Sequence, residues 1–230
     1  MSQSIQQVLI MAAGRGVRMR PLTDSIPKAM APFQGETLIA NSIKQLRESI
    51  NYIHVTVGYK SAMLAKYLMK KGVDSIFNTE GHSNSWWIHN TLLKHLDEPI
   101  FVLTCDNVVQ LDFELLAHDY KNIGEPACML VPVIPVSGLE GDFIEHDNGK
   151  VLSVQRDTPT NIYCSGIQVL NLRQIVKLTQ EKTSFYDIWN QLIEHEQLYI
   201  SSIYPKKWFA VDTIEQLVEI ENQHVAKECA

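Results

Sequence analysis

The first half of the chain alternates short apolar runs with stretches of helical period. The run VLIMAA (8–13) is apolar throughout and ends at a glycine, as a strand buried on both faces does. In the stretch that follows, Leu38, Ile39, Ser42, Ile43 and Leu46 share one helical face. YIHVTVGY (52–59) predicts the next strand and SAMLAKYLMKKG (61–72) a helix closed by Gly72. VDSIFNT, WWIHNTLLKHL and PIFVLTCD then predict strand, helix and strand, and FELLAHDYKNIG another helix ending at Gly124. This alternation predicts an α/β fold, with a mostly parallel central sheet flanked by helices.

Beyond residue 125 the pattern changes. ACMLVPVIPV, GDFIEHDNGKVLSVQRD and IYCSGIQVLN predict strands with turns at Asp147-Asn148-Gly149 and Thr158-Pro159. Helices around 184–196 and 214–228 follow, with LYISSIY and WFAV as strands between them. The expectation is a small antiparallel substrate-binding sheet over the carboxyl ends of the parallel strands, where open α/β sheets bind ligands. No repeat or linker divides the 230 residues, so they are expected to form one domain. Its nucleotide-binding part is about 1–124, and its substrate-binding part about 125–230.

Composition narrows the function classes. A net charge of −6 argues against broad nucleic-acid binding, yet leaves room for a local basic cluster. No apolar run reaches the ~18–20 residues that span a bilayer, and MSQSIQQ lacks the features of a signal peptide. Cys105, Cys128, Cys164 and Cys229 form no zinc-ligand spacing and read as reduced thiols. A cytoplasmic enzyme is expected, with no membrane or nucleic-acid partner.

The strongest chemical signal follows the first strand, in AAGRGVRMRPLTDSIPKAMAPF. Gly14 and Gly16 permit close backbone approach to a ligand. Arg15, Arg18, Arg20 and Lys28 put four positive charges in 15 residues, against one acid, Asp24. Basic side chains and free backbone N–H groups suit a polyphosphate. A dinucleotide fingerprint fits poorly, since Met19 stands where its third glycine belongs and Pro21 soon follows. No GxxxxGK[ST] string is present. A plain glycine turn with solvated arginines is the remaining alternative. HExxH and GxSxG strings are also absent, so neither a zinc protease nor a hydrolase triad has support. Two further candidates end apolar runs, Asp106 in LTCDN and Asp212 in WFAVDT. A pair of carboxylates from distant sequence suits Mg²⁺, which keeps waters and substrate phosphates beside one or two protein ligands. Asp212 could instead cap the helix that follows it.

The string AAG-x-G-x-R-M-x-P-L-T-x(4)-P-K resembles the signature of the nucleotidyltransferases that act on sugar 1-phosphates and related metabolites. It departs at Val17, where Ser or Thr is usual, and at Thr37, where proline is common. The resemblance implies a Rossmann-like nucleotidyltransferase fold and a nucleoside triphosphate lying along Ala12, Ala13, Gly14, Arg15, Gly16 and Val17. Arg18 would contact the β- and γ-phosphates, Lys28 would sit near the α-phosphate and the attacking phosphate, and Asp106 and Asp212 would hold Mg²⁺. Where many members carry a glycine-rich base loop, this chain has GHSNSWWIHNTLLKHL, which is similar to compact choline-phosphate cytidylyltransferases. Asn84, Trp86, Asn90, Thr91 and Leu92 carry that likeness and point toward a cytidine nucleotide. The alternative is that Asn84 or Ser85 caps a helix and Trp86 and Trp87 pack in its first turn. On the acceptor side, Gly166 in YCSGIQVLN resembles the glycine against which a sugar sits. Arg156 stands near the position of a usual lysine, and Asn107 is a partner of the metal acid or a turn former. Tyr163, Trp208 and other aromatics could serve a quaternary ammonium. The expected substrates are a nucleoside triphosphate and a phosphorylated metabolite, most of all a sugar 1-phosphate, with phosphocholine as the alternative and a homodimer as a possible assembly. A nucleotide-sensing module of the same fold is the rival from another class.

Overall fold

The computed structural model describes residues 4–136, 141–181 and 184–228. Cys229 lies outside the described residues. In chain order the elements are β1 (Gln7–Ala12), α1 (Leu22–Ser25), β2 (Pro32–Phe33), β3 (Glu36–Thr37), α2 (Leu38–Leu46), β4 (Tyr52–Val57), α3 (Ser61–Lys70), β5 (Ser75–Asn78) and α4 (Trp86–Asn90). They continue with β6 (Ile100–Thr104), β7 (Asn107–Gln110), α5 (Phe113–Asn122), β8 (Cys128–Val133), β9 (Asp142–Asp147), β10 (Lys150–Gln155) and β11 (Tyr163–Leu170). Last come α6 (Leu172–Leu178), α7 (Phe185–Glu194), β12 (Leu198–Ile200), β13 (Lys207–Ala210) and α8 (Ile214–Glu228).

β1 shows why the sheet is buried on both faces. Successive strand residues point to opposite sides. Val8 and Ile10 enter one core cluster with Ile39, Leu64 and Leu116 from α2, α3 and α5. Leu9 enters another with Trp87, Ile175 and Ile188 from α4, α6 and α7. A continuous apolar run is what such a strand needs, because neither face meets water.

The main sheet has the order β5-β4-β1-β6-β11-β8-β12-β10-β9. β5, β4, β1 and β6 are mutually parallel. β4 follows β1 on one side and β6 flanks it on the other, so the order reverses beside β1, the place where open α/β sheets leave a crevice. The α/β class, the central sheet with flanking helices and the presence of small antiparallel sheets are as expected. The strands that make those small sheets are different ones. β8 to β12 extend the main sheet, beginning with β11 antiparallel to β6 at Gln168↔Val102. The separate small sheets are β2–β3 and β7–β13. The helix expected over 86–96 is also interrupted. Thr91 is extended, at φ −111° and ψ 168°, and its hydroxyl donates to the Trp87 carbonyl at 2.8 Å. A short 3-10 turn, 92–95, follows it. A threonine hydroxyl that bonds backbone competes with continued helix.

Candidate active site

The loop after β1 is held by its own short contacts. Gly16 adopts φ +63°, and a Cβ built on it would stand 2.8 Å from Lys28 Cβ. Its carbonyl accepts from Thr23 Oγ1 at 2.9 Å. The turn therefore packs directly on the lysine stem. Gly16→Ala meets both a left-handed backbone and a clash, which together cost about 1–3 kcal/mol. The expected result is a melting temperature lower by several degrees and a loss of triphosphate affinity, read by thermal unfolding and equilibrium binding.

The two aspartates are brought together by the β7–β13 pair. β7 starts directly after Asp106 and β13 ends two residues before Asp212. Their antiparallel register pairs Asn107 with Ala210, and Val211 N donates to Asp106 O at 3.0 Å. Carboxylates far apart in the chain thus reach one ammonium. Lys28 Nζ donates to Asp106 Oδ2 at 2.5 Å and to Asp212 Oδ1 at 2.7 Å. Arg18 Nη2 stands 3.0 Å from the same Asp212 oxygen. Burial pulls the Lys28 pKa down, but the carboxylates of Asp106 and Asp212 and the hydrogen bond to Asp106 favour the ammonium, and the net shift is upward. Lys28 is a fixed cation. The neighbouring Cys105 thiol is pushed up to about 12, first by burial, and stays protonated.

Asp212 does not cap α8. Thr213 and Gln216 form a capping box instead: Gln216 N donates to Thr213 Oγ1 at 3.2 Å, and Gln216 Oε1 accepts from Thr213 N at 3.0 Å. The Asp212 carboxylate is left to Lys28 and Arg18.

These groups lie in a cleft of about 620 Å³ at the carboxyl ends of β1, β4, β5 and β6. Of the residues expected at the nucleotide site, Ala13, Gly14, Arg15, Gly16, Val17, Arg18, Lys28, Asn84, Asp106 and Asp212 line it. Three do not. Ala12 is buried in β1, where its N–H donates to Thr56 Oγ1 at 3.3 Å. Asn90 and Thr91 point their side chains back along α4, to the carbonyls of Trp86 and Trp87. Corrected by the geometry, they are helix-terminus residues, since an amide or hydroxyl four residues on reaches the preceding turn more readily than the cleft.

The far wall was not foreseen. It comprises Tyr59 after β4, and Thr79, Glu80, Gly81, His82 and Ser83 after β5. Gly58 is required there, because a Cβ on it would stand 2.6 Å from the Ala13 carbonyl. Arg15 lies over the Tyr59 ring at 5.3 Å, a cation–π contact. The glycine ending VTVGY was the signal available in sequence: loops at the carboxyl ends of neighbouring parallel strands share one crevice. His82 stacks on Trp86 at 4.0 Å between ring centroids.

The acceptor candidates divide. A Cβ on Gly166 would stand 3.3 Å from both Asn107 Nδ2 and Thr104 Oγ1, so Gly166 and Asn107 meet beside Asp106. Trp208 Nε1 donates to Ser165 O at 2.9 Å, on the same stretch of β11. Arg156 and Tyr163 are elsewhere occupied. Arg156 Nε binds Asp142 Oδ1 at 2.8 Å, an oxygen that also accepts from the Tyr186 hydroxyl, and Tyr163 packs on Phe143 with ring centroids 4.7 Å apart. None of the five lines the cleft; Asn107 and Trp208 line a second cavity, with Phe33 and Phe209. The guanidinium is drawn to the nearest carboxylate rather than to the crevice. Trp189, another aromatic, donates its indole N–H to Gln168 inside the core.

Among the described residues no cluster of three or more His, Cys, Asp or Glu could hold a metal by itself. Two convergent carboxylates suit Mg²⁺, whose remaining positions are filled by waters and phosphates. Among the described residues, no helix is long and apolar enough to cross a membrane.

A glycine-turned basic loop, a buried lysine and two strand-end carboxylates thus share one α/β crevice. The chain belongs to the nucleotidyl transferase family, whose model matches residues 7–227. It is 24% identical over 206 residues to the mannose-1-phosphate guanylyltransferase catalytic subunit beta of Drosophila melanogaster. That alignment takes in 84% of this chain and 56% of the relative, so the chain spans little more than half the relative's length. The fold is shared with an apo UDP-glucose pyrophosphorylase, at TM-score 0.78 and 15% identity over 97% of this chain and 99% of that one. It is shared too with the CTP:phosphocholine cytidylyltransferase of Streptococcus pneumoniae, at TM-score 0.73 and 22% identity over 96% and 99%.

Proposed function

We propose that this chain transfers a nucleoside monophosphate from a nucleoside triphosphate to a phosphorylated metabolite and releases pyrophosphate. A phosphate oxygen of the acceptor attacks the α-phosphorus, the bond to the β-phosphate bridging oxygen breaks, and a nucleotide-diphospho conjugate forms. The observation that carries this reading is the convergence of Lys28, Asp106, Asp212 and Arg18 beside the glycine loop. The loop N–H groups and Arg18 bind the triphosphate, and Lys28 holds positive charge where charge gathers during transfer. Asp106 and Asp212 would hold Mg²⁺, which when bound neutralises the reacting phosphates. No covalent enzyme intermediate is required. The first part of the chain then serves the nucleotide, while Gly166, Asn107 and Trp208 serve the acceptor, a sugar 1-phosphate first and phosphocholine second. A sensing module would bind the triphosphate without turnover. Pyrophosphate release across four nucleoside triphosphates and a panel of phosphorylated sugars and amines separates the readings, and binding without release in every combination contradicts this one.

The proposed nucleotide is CTP. Asn84 and Trp87 line the cleft, and an indole there leaves less room for a purine. A polar contact to the base is worth about 1–3 kcal/mol, or roughly 10–100-fold in kcat/KM for CTP over GTP. Asn84→Ala is expected to lose part of that preference, whereas Asn90→Ala leaves it intact. Equal initial rates with CTP and GTP would overturn the base assignment.

A further inference from the structure

Buried side-chain polar atoms in folded proteins are nearly always paired. Among the described residues of this chain two are not, Trp87 Nε1 and Asn107 Nδ2. Asn107 stands beside Asp106 and Gly166, and its amide can be turned to exchange donor and acceptor. Trp87 has no such freedom. An indole nitrogen can only donate, and no carbonyl, hydroxyl or carboxylate of the described chain accepts from it. Two other tryptophans are served: Trp189 donates to Gln168 Oε1 at 3.2 Å and Trp208 to Ser165 O at 2.9 Å. Trp87 is only 1% exposed, yet it is one of the residues that line the nucleotide cleft. An uncompensated buried indole donor thus belongs to a residue that borders the space where a ligand is expected.

We propose that Trp87 is a specificity-determining residue whose indole N–H donates to the C2 carbonyl oxygen of a pyrimidine base. This inference rests on the nucleotide-binding reading above. A neutral single donor suits a neutral carbonyl; the anionic phosphates already have Arg18 and Lys28. Cytosine and uracil both carry that carbonyl and adenine carries none. Trp87 therefore separates pyrimidines from adenine and does not separate CTP from UTP, a distinction left to Asn84. A base without the carbonyl leaves the donor buried and unpaired, and sites built to hydrogen-bond a ligand reject such analogues strongly.

The test uses equilibrium binding of CTP, UTP, ATP and inorganic tripolyphosphate to the wild-type chain and to Trp87→Phe, which keeps an aromatic ring and removes the donor. The expected result is an affinity loss of roughly 10-fold for CTP and UTP, with ATP and tripolyphosphate changed less than about 2-fold. Equal losses for all four ligands, or none, would overturn the proposal. Should the variant fail to fold, the indole ¹H–¹⁵N resonance of Trp87 in the wild-type chain decides. It is expected to move downfield with CTP and UTP and to stay in place with tripolyphosphate. A resonance unmoved by bound CTP overturns this inference and leaves the nucleotidyltransferase reading standing. A wild-type chain that binds tripolyphosphate and nucleotides not at all overturns both.

Discussion

Asp106→Asn is expected to lower kcat by roughly 100-fold or more while leaving the fold intact. The carboxylate stands at the end of β6 with its side chain partly exposed, so the change neither opens a cavity nor strands a group deep in the core. What it removes is one of two anionic ligands for the cation that neutralises the reacting phosphates. Asparagine keeps the shape and can still accept from Lys28, so a merely structural role predicts near-normal turnover. EDTA is expected to abolish wild-type activity and added Mg²⁺ to restore it. A well-folded Asp106→Asn chain with undiminished kcat would remove the metal assignment.

Lys28→Ala is expected to reduce kcat by about 100- to 1,000-fold, the scale of losing one preorganised charge at a reacting centre. Nucleotide KM should change much less, because the lysine acts where charge accumulates in transfer. Lys28→Met separates charge from packing, since it preserves a stem against the Gly16 turn. It is expected to fold more stably than the alanine variant and to be as inactive. A lysine raised in the folded state contributes stability that is fully present below its ordinary 10.5 and is lost as pH rises through the higher folded value. No titration of Lys28 should therefore shape the rate near neutral pH. A KM effect alone would make Lys28 a uniform binding contact.

The loop after β1 was legible because its chemistry is local. Gly14, Gly16, Arg18 and Lys28 lie within one short stretch, and the backbone needs of that stretch select its residues. Asp106 and Asp212 were legible as strand-end acids, and that they meet was implied by the family resemblance alone, not by any local feature of the two segments. The β7–β13 register brings them together, and strand pairing across a hundred residues leaves no local mark. The same limit explains the second half. Alternating strands from 128 to 170 read as a separate small sheet, yet β11 pairs with β6 and the main sheet simply continues. Asn90 and Thr91 show a different limit. A polar side chain in a helical stretch looks the same in sequence whether it faces a ligand or the preceding turn, and here the nearby carbonyls win. Arg156 was drawn away by Asp142, an ion pair 14 residues apart that no motif marks.

The most direct test is ³¹P NMR of the chain incubated with CTP, a sugar 1-phosphate and Mg²⁺. The expected spectrum gains free pyrophosphate and one new pair of coupled diphosphate resonances, both dependent on the acceptor and both absent with Asp106→Asn. A spectrum in which CTP survives with every sugar 1-phosphate and with phosphocholine, and in which the other three triphosphates survive as well, would contradict nucleotidyl transfer at this site.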